Sequence, residues 1–174
     1  MRRREALLAG FGFAGSAVGQ KTGCPNYFAA GLKSRWKSSK EYSLAMLAKM
    51  PDPGLAFRPT PDVWTFSQQL THLADGNLLI AAPIHGDKPA YVGDPKQLGR
   101  AALEKHLRDS YDYVNEAFDR LKSDADAEGI VQFMGEPIAK RELCYRLLDH
   151  ATHHRSQALV YLRLKGIAPP PYAG

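Results

Sequence analysis

From Leu143 to Tyr161 one helix face can be read directly: Leu143, Leu147, His150, His154, Ala158 and Tyr161 follow one another at steps of three or four residues. The segment "RELCYRLL" before the histidines and "ALVYLRLKG" after them carry the same period, so "DHATHHRSQ" belongs to a helix and not to a loop. Two imidazoles therefore stand where leucines are expected on the core-facing stripe. Three explanations are open: a ligand site, a buried polar network, or a helix face wetter than the pattern implies.

Three further helical stretches accompany this one. The first runs from about Tyr27 to Met50, with Trp36, Leu44, Leu47 and Met50 as apolar contacts, and "PDPG" ends it. The link "LAFRPTPDVW" is extended, because proline turns its predecessor away from the helical region. Thr65 followed by Gln68 reads as a capping box that opens a second helix through about Ile80. For the third helix Asp94 is expected as N-cap, Pro95 at the first helical position and Gln97 at the third, with a stripe Leu103, Leu107, Tyr111, Val114, Phe118, Leu121. Residues 123–137 are polar, and "IVQFMG" is the one stretch there with strand character. The fourth helix is expected from about Ile138 to Lys165, stopped by Gly166 and Pro169–Pro171. Four amphipathic helices without a strong strand signal predict an all-α four-helix bundle.

At 174 residues, 44% hydrophobic and 24% charged, the chain is expected to form one domain with a core that needs no disulfide staples. Its net charge of +5 is partly terminal: Arg2, Arg3 and Arg4, set against Glu5, account for two of those charges. No basic patch interleaved with aromatics follows, so no nucleic-acid partner is expected. The N-terminus "MRRREALLAGFGFAGSAVGQ" has a charged start, an apolar run from about Ala6 to Val18 and small residues before Gln20. That layout predicts a signal peptide over residues 1–19, similar to the twin-arginine type, followed by the bundle over 20–174. The apolar run is too short to span a bilayer, so no stable membrane insertion is expected. Export, to the periplasm, is the expected localisation; a cytoplasmic protein with an amphipathic N-terminus is the alternative. Cys24 and Cys144 make neither a disulfide framework nor a zinc-ligand spacing, and Cys144 reads as a small buried hydrophobe. Whether the two pair is left open.

Histidines at i and i+4 project one turn apart, so His150 and His154 can each offer a ring nitrogen to one ion. By itself such a pair is common. His72, among Leu70, Leu73 and Ala74 in "FSQQLTHLAD", supplies a partner if the second helix packs on the fourth. Three imidazoles from two helices leave coordination positions free for water or substrate. His153, about 100° around the helix from His154, is expected to point elsewhere. His85 and His106 have no matching partners in the sequence and are expected on the surface.

"RPTPDVWTFSQQLTHLAD" resembles the second-helix entry of the DinB/YfiT-like family, and "LLDHATHHRSQALVYLRLKGIAPPP" resembles its last helix. The family pattern there is a histidine, three residues, His-Arg-Gly-Gln and a Tyr-Leu-Arg-x-x-Gly tail. This family comprises metal-binding four-helix bundles and is unrelated to the DNA polymerase of the same name. The resemblance covers about Trp36 to Pro171, with Ser156 where the family favours glycine. It implies an up-down-down-up bundle and a divalent metal held by His72, His150 and His154, with water completing the coordination. Zinc or nickel is the first expectation, manganese or iron the second. Asp75, Asp149 and Gln157 are candidates to accept the far N–H of a ligating imidazole.

Members of this family include thiol-dependent transferases and isomerases. An exported protein meets little reduced thiol, which brings metal-assisted hydrolysis forward as the competing reaction. No residue is placed by spacing as a general base or nucleophile, so catalytic residues are not assigned. The expectation is a metal-dependent enzyme, a hydrolase or thiol-dependent transferase acting on a small molecule. A non-catalytic metal- or ligand-binding bundle is the alternative, and a homodimer through an exposed apolar helix face is an open expectation.

Overall fold

The computed structural model describes residues 27–91 and 93–172. The signal-peptide expectation and Cys24 lie outside these residues. The elements are α1 (Tyr27–Lys49), a 3-10 turn (Asp52–Ala56), α2 (Phe66–His85), α3 (Arg100–Asp119), a short α4 (Asp124–Glu128), a hairpin of β1 (Ile130–Phe133) and β2 (Glu136–Ala139), and α5 (Lys140–Leu164).

Side-chain pairs give the direction of each long helix. Lys33 meets Asp119, Lys40 meets Asp112, and Arg100 reaches the Leu47 carbonyl, so α1 and α3 are antiparallel. Ser67 bonds Leu98 and Asn77 bonds Ser110, so α3 runs parallel to α2. Gln69 meets His154 and Tyr161 while His72 and Gly76 meet His150, so α5 runs antiparallel to α2. Phe28 lies against Tyr145 and Ser39 against Arg155, making α5 parallel to α1. The result is an up-down-down-up bundle. Residues 86–99 must return along the bundle between α2 and α3. Fourteen residues extended reach about 46 Å, enough for helices about 30 Å long.

The core draws on the predicted stripes and on residues they did not include, Phe66, Tyr42 and Met46 among them, while Leu44 is only partly buried. Trp36, Phe66, Leu70, Leu73, Tyr111, Phe118, Leu143 and Leu147 are buried together, and the Trp36 ring packs against Tyr111 at 4.7 Å and Phe118 at 5.8 Å between centroids. One buried polar knot crosses this core. The Tyr111 hydroxyl lies 3.0 Å from Ser39 and 2.9 Å from Ser43, and buried Arg155 donates to Ser39. Arg155 thus ties α5 to α1 one residue beyond His154.

Three element boundaries differ from the sequence reading. The capping box of α2 forms as expected, with Gln68 N–H donating to Thr65 Oγ1 at 3.1 Å and Thr65 N–H to Gln68 Oε1 at 3.0 Å, but the helix continues past Ile80 to His85. The third helix does not start at Asp94. Gly99 is its N-cap, because residues 95–98 are held on the start of α2 and on the 3-10 turn instead: Gln68 donates to the Pro95 carbonyl, Leu98 N–H donates to Ser67 Oγ, and Gln97 donates to the Leu55 carbonyl. Tertiary hydrogen bonds outcompete the local cap. Likewise α5 starts at Lys140 and not at Ile138, since Ile138 pairs with Val131 in the hairpin. "IVQFMG" does hold the strand, and "EPIA" is the partner that sequence patterning did not reveal.

Candidate metal centre

The antiparallel α2 and α5 bring the three predicted histidines together. Ring centroids of His72 and His150 lie 5.2 Å apart, His72 and His154 4.5 Å, His150 and His154 4.6 Å. One nitrogen from each falls within 4.8 Å of the others. Nitrogens bound at about 2.1 Å to one tetrahedral ion stand roughly 3.4 Å apart, so a small rotamer adjustment closes the set.

Two features support a metal at this point. His154 Nδ1 lies 2.9 Å from Gln69 Oε1, the Gln69 Nε2 donates to the Tyr161 hydroxyl at 3.4 Å, and that hydroxyl donates to the Trp64 carbonyl at 3.0 Å. Because the phenol proton is committed to Trp64, its oxygen accepts from the amide nitrogen, and the amide oxygen must face His154. His154 therefore carries its proton on Nδ1 and presents the Nε2 lone pair. The second feature is Gly76. A Cβ at this position would lie 2.0 Å from His150 Cε1, so the imidazole rests directly on the α2 backbone. Its Nδ1 is buried with no hydrogen-bond partner among the described residues. A cradle free of side chain and an orphaned ring nitrogen both fit a metal ligand.

Burial keeps these rings neutral. Desolvation pushes His150 down to about 4 and His154 to about 3, each further lowered by neighbouring histidines. His72 is also lowered by burial, although the Asp75 carboxylate works against that shift. Neutral imidazole is the form that binds metal.

The other expected residues are placed differently. Asp75 does not accept from a ligating ring; its Oδ1 lies 2.7 Å from Nε2 of His106 on α3. His106 is thus half-buried and partnered, not a free surface residue. His85 is also half-buried, stacked on Tyr113 at 4.0 Å with its Nε2 2.8 Å from the Tyr113 carbonyl. Gln157 faces outward, 3.2 Å from His153 Nε2, and His153 is exposed. Asp149 is exposed at the edge of a cleft beside His150. Gln69 holds the ligand ring; the sequence shows only its place three residues before His72 on the same helix, which does not by itself mark it. Trp64, with its ring 4.5 Å from His72 and 6.0 Å from His154, covers one side of the centre.

On the other side His72 and His150 open into a cavity of about 370 Å³ between α2, α5, the hairpin and the segment at Tyr91 and Gly93. Leu79, Ile80, Phe133 and Met134 form apolar walls, and Arg146 and Asp149 stand at the rim.

Comparison with known proteins agrees with this architecture. A family model described as the DinB superfamily matches residues 35–158. A search of curated proteins finds no match. Among solved structures, a DinB-like protein from Bacillus cereus superposes with a TM-score of 0.69 at 22% identity, covering 83% of this chain and 97% of its own. A DinB-like protein from Bacillus subtilis gives 0.67 at 15% identity, covering 82% and 96%. Both share the fold.

Proposed function

The chain belongs to the DinB superfamily, and from that premise we propose that it is a metal-dependent enzyme whose divalent ion is held by His72, His150 and His154. The observation carrying this reading is the pair of supports behind the ligands: Gln69 fixes the His154 tautomer and Gly76 makes room for His150. Imidazole nitrogens suit zinc or nickel better than manganese. A divalent ion held here would supply Lewis-acid polarisation and activation of a water or thiol.

The chain's own residues do the rest. Trp64 shields the ligands on one side, and the cavity admits a small molecule on the other. Asp75, held by His106, is a cleft-wall carboxylate able to accept the proton released by an attacking water. We assign metal-assisted hydrolysis, in which Asp75 would take the proton of the attacking water and return it to the leaving group as the ester or amide bond breaks. Zinc and nickel titration of apo-protein tests the metal: one ion per chain is expected, and alanine at any of the three histidines should weaken binding by at least tenfold. An ester and amide hydrolysis panel on the loaded protein, with a thiol-conjugation arm, tests the reaction. Turnover only with thiol would move the assignment to a transferase, and no turnover in either arm would leave a metal-binding bundle.

The proposal extends to location. Residues 1–19 act as an export signal and are removed, which intact-mass measurement on the native protein checks; a retained Met1 in a cytosolic fraction would refute it.

A further inference from the structure

We infer that the cavity beside the histidines binds a small monocarboxylic acid with an apolar body, its carboxylate on Arg146 and its far end turned to the metal centre. This rests on the metal reading for the identity of the far end, but not for the carboxylate contact. Arg146 lies four residues before His150 on α5, so the two residues leave the helix about one turn, roughly 6 Å, apart on the same face, and both line the cavity. Its one side-chain partner among the described residues is Glu142, at 3.5 Å between two half-exposed groups. Such a contact is weak and leaves most of the planar donor fork unused. The guanidinium also faces the Phe133 ring at 6.0 Å, which brings it toward the hairpin wall of the cavity.

The remaining walls fix the kind of occupant. Leu79, Ile80, Phe133 and Met134 offer no hydrogen bonds and reward an apolar body. The second charge on the cavity wall near α2, Asp75, is already held by His106. Asp149, three residues from Arg146 at the same rim, opposes a dianion such as a phosphate monoester. A single carboxylate on a short aliphatic chain satisfies all of these conditions. Hexanoate is a probe of that class.

The test is calorimetric titration of zinc-loaded protein with hexanoate, its neutral isostere hexanamide, and hexylamine. Each is repeated on the chelator-treated protein and on Arg146→Gln and Arg163→Gln. Arg163 is exposed on the same helix and absent from the cavity wall, so its variant makes the same change in net charge. Hexanoate should bind at least tenfold tighter than hexanamide. That preference should be lost in Arg146→Gln and kept in Arg163→Gln, with zinc stoichiometry unchanged in both. Equal binding of hexanoate and hexanamide, preference for hexylamine, or no hexanoate binding to zinc-loaded protein would overturn the inference. So would hexanoate binding that survives Arg146→Gln and disappears with the metal, since the carboxylate would then sit on the ion. A protein that takes up no zinc yet binds hexanoate through Arg146 would remove the metal reading and leave the carboxylate site standing.

Discussion

At the scale of single residues, Gly76 sets two opposing effects against each other. Alanine in a helix interior is ordinarily favoured over glycine by about 1 kcal/mol. Here the added Cβ would meet the His150 ring at 2.0 Å and push it off the α2 backbone. Gly76→Ala is therefore expected to fold but to lose metal affinity by at least tenfold, measured by competitive chelator titration; unchanged affinity would show that His150 is not held where the ligand set needs it. Gln69→Leu probes the other support. It removes the acceptor for His154 Nδ1–H, leaving that group buried, and should lower metal affinity by roughly 10- to 100-fold. The ligands themselves were legible in the sequence because helical spacing places His150 and His154 on one face and His72 sits in an apolar stretch. Gln69 and Gly76 were harder to find. An amide three residues before a histidine and a glycine four after it acquire meaning only when α5 is seen lying against that face of α2.

At the scale of elements, the boundaries that sequence patterning missed are those decided by another element. The α2 capping box is local, and it formed as written. The Asp94-Pro95 signal is equally local, but Gln97 and Leu98 are drawn onto α2 and the 3-10 turn, so α3 begins at Arg100. Arg100 in turn donates to the Leu47 and Met50 carbonyls at the end of α1, closing groups that a helix C-terminus leaves free. The hairpin shows the same dependence at its turn. Met134 has φ 52 and Gly135 φ 90, the pair of left-handed residues that a two-residue turn demands. Asparagine tolerates this region better than methionine does. Met134→Asn should therefore raise stability by up to about 1 kcal/mol, a shift of a few degrees in Tm. Because it also removes an apolar wall of the cavity, ligand binding should weaken while metal stoichiometry stays at the wild-type value. A lower Tm would show that the Met134 side chain contributes more by contact than its backbone costs.

At the scale of the whole molecule, placing imidazoles on a core stripe makes the stability of the apo-protein depend on pH. His150 and His154 titrate at about 4 and about 3 in the folded chain, against about 6.5 when unfolded. Between those values the unfolded chain binds more protons than the folded one, so stability is full above about pH 6.5 and falls as the pH is lowered toward 4. The window to examine is pH 6.5 to 5, above the range where carboxylates dominate. There the slope should approach the order of 1 kcal/mol per pH unit for each well-buried ring, less for the part-exposed His150. Replacing both rings by the residue that the stripe otherwise calls for, in the double variant His150→Leu and His154→Leu, removes the titrating groups and the orphaned Nδ1 together. Denaturant unfolding of the two apo-proteins across this window should show a wild-type stability that falls with acidification and a flatter profile for the variant. Parallel profiles would mean that the acid sensitivity arises elsewhere in the bundle. Loading with zinc should raise the wild-type stability throughout this window without flattening its slope, because the folded rings stay neutral down to about pH 4 and protons compete with the ion only below that.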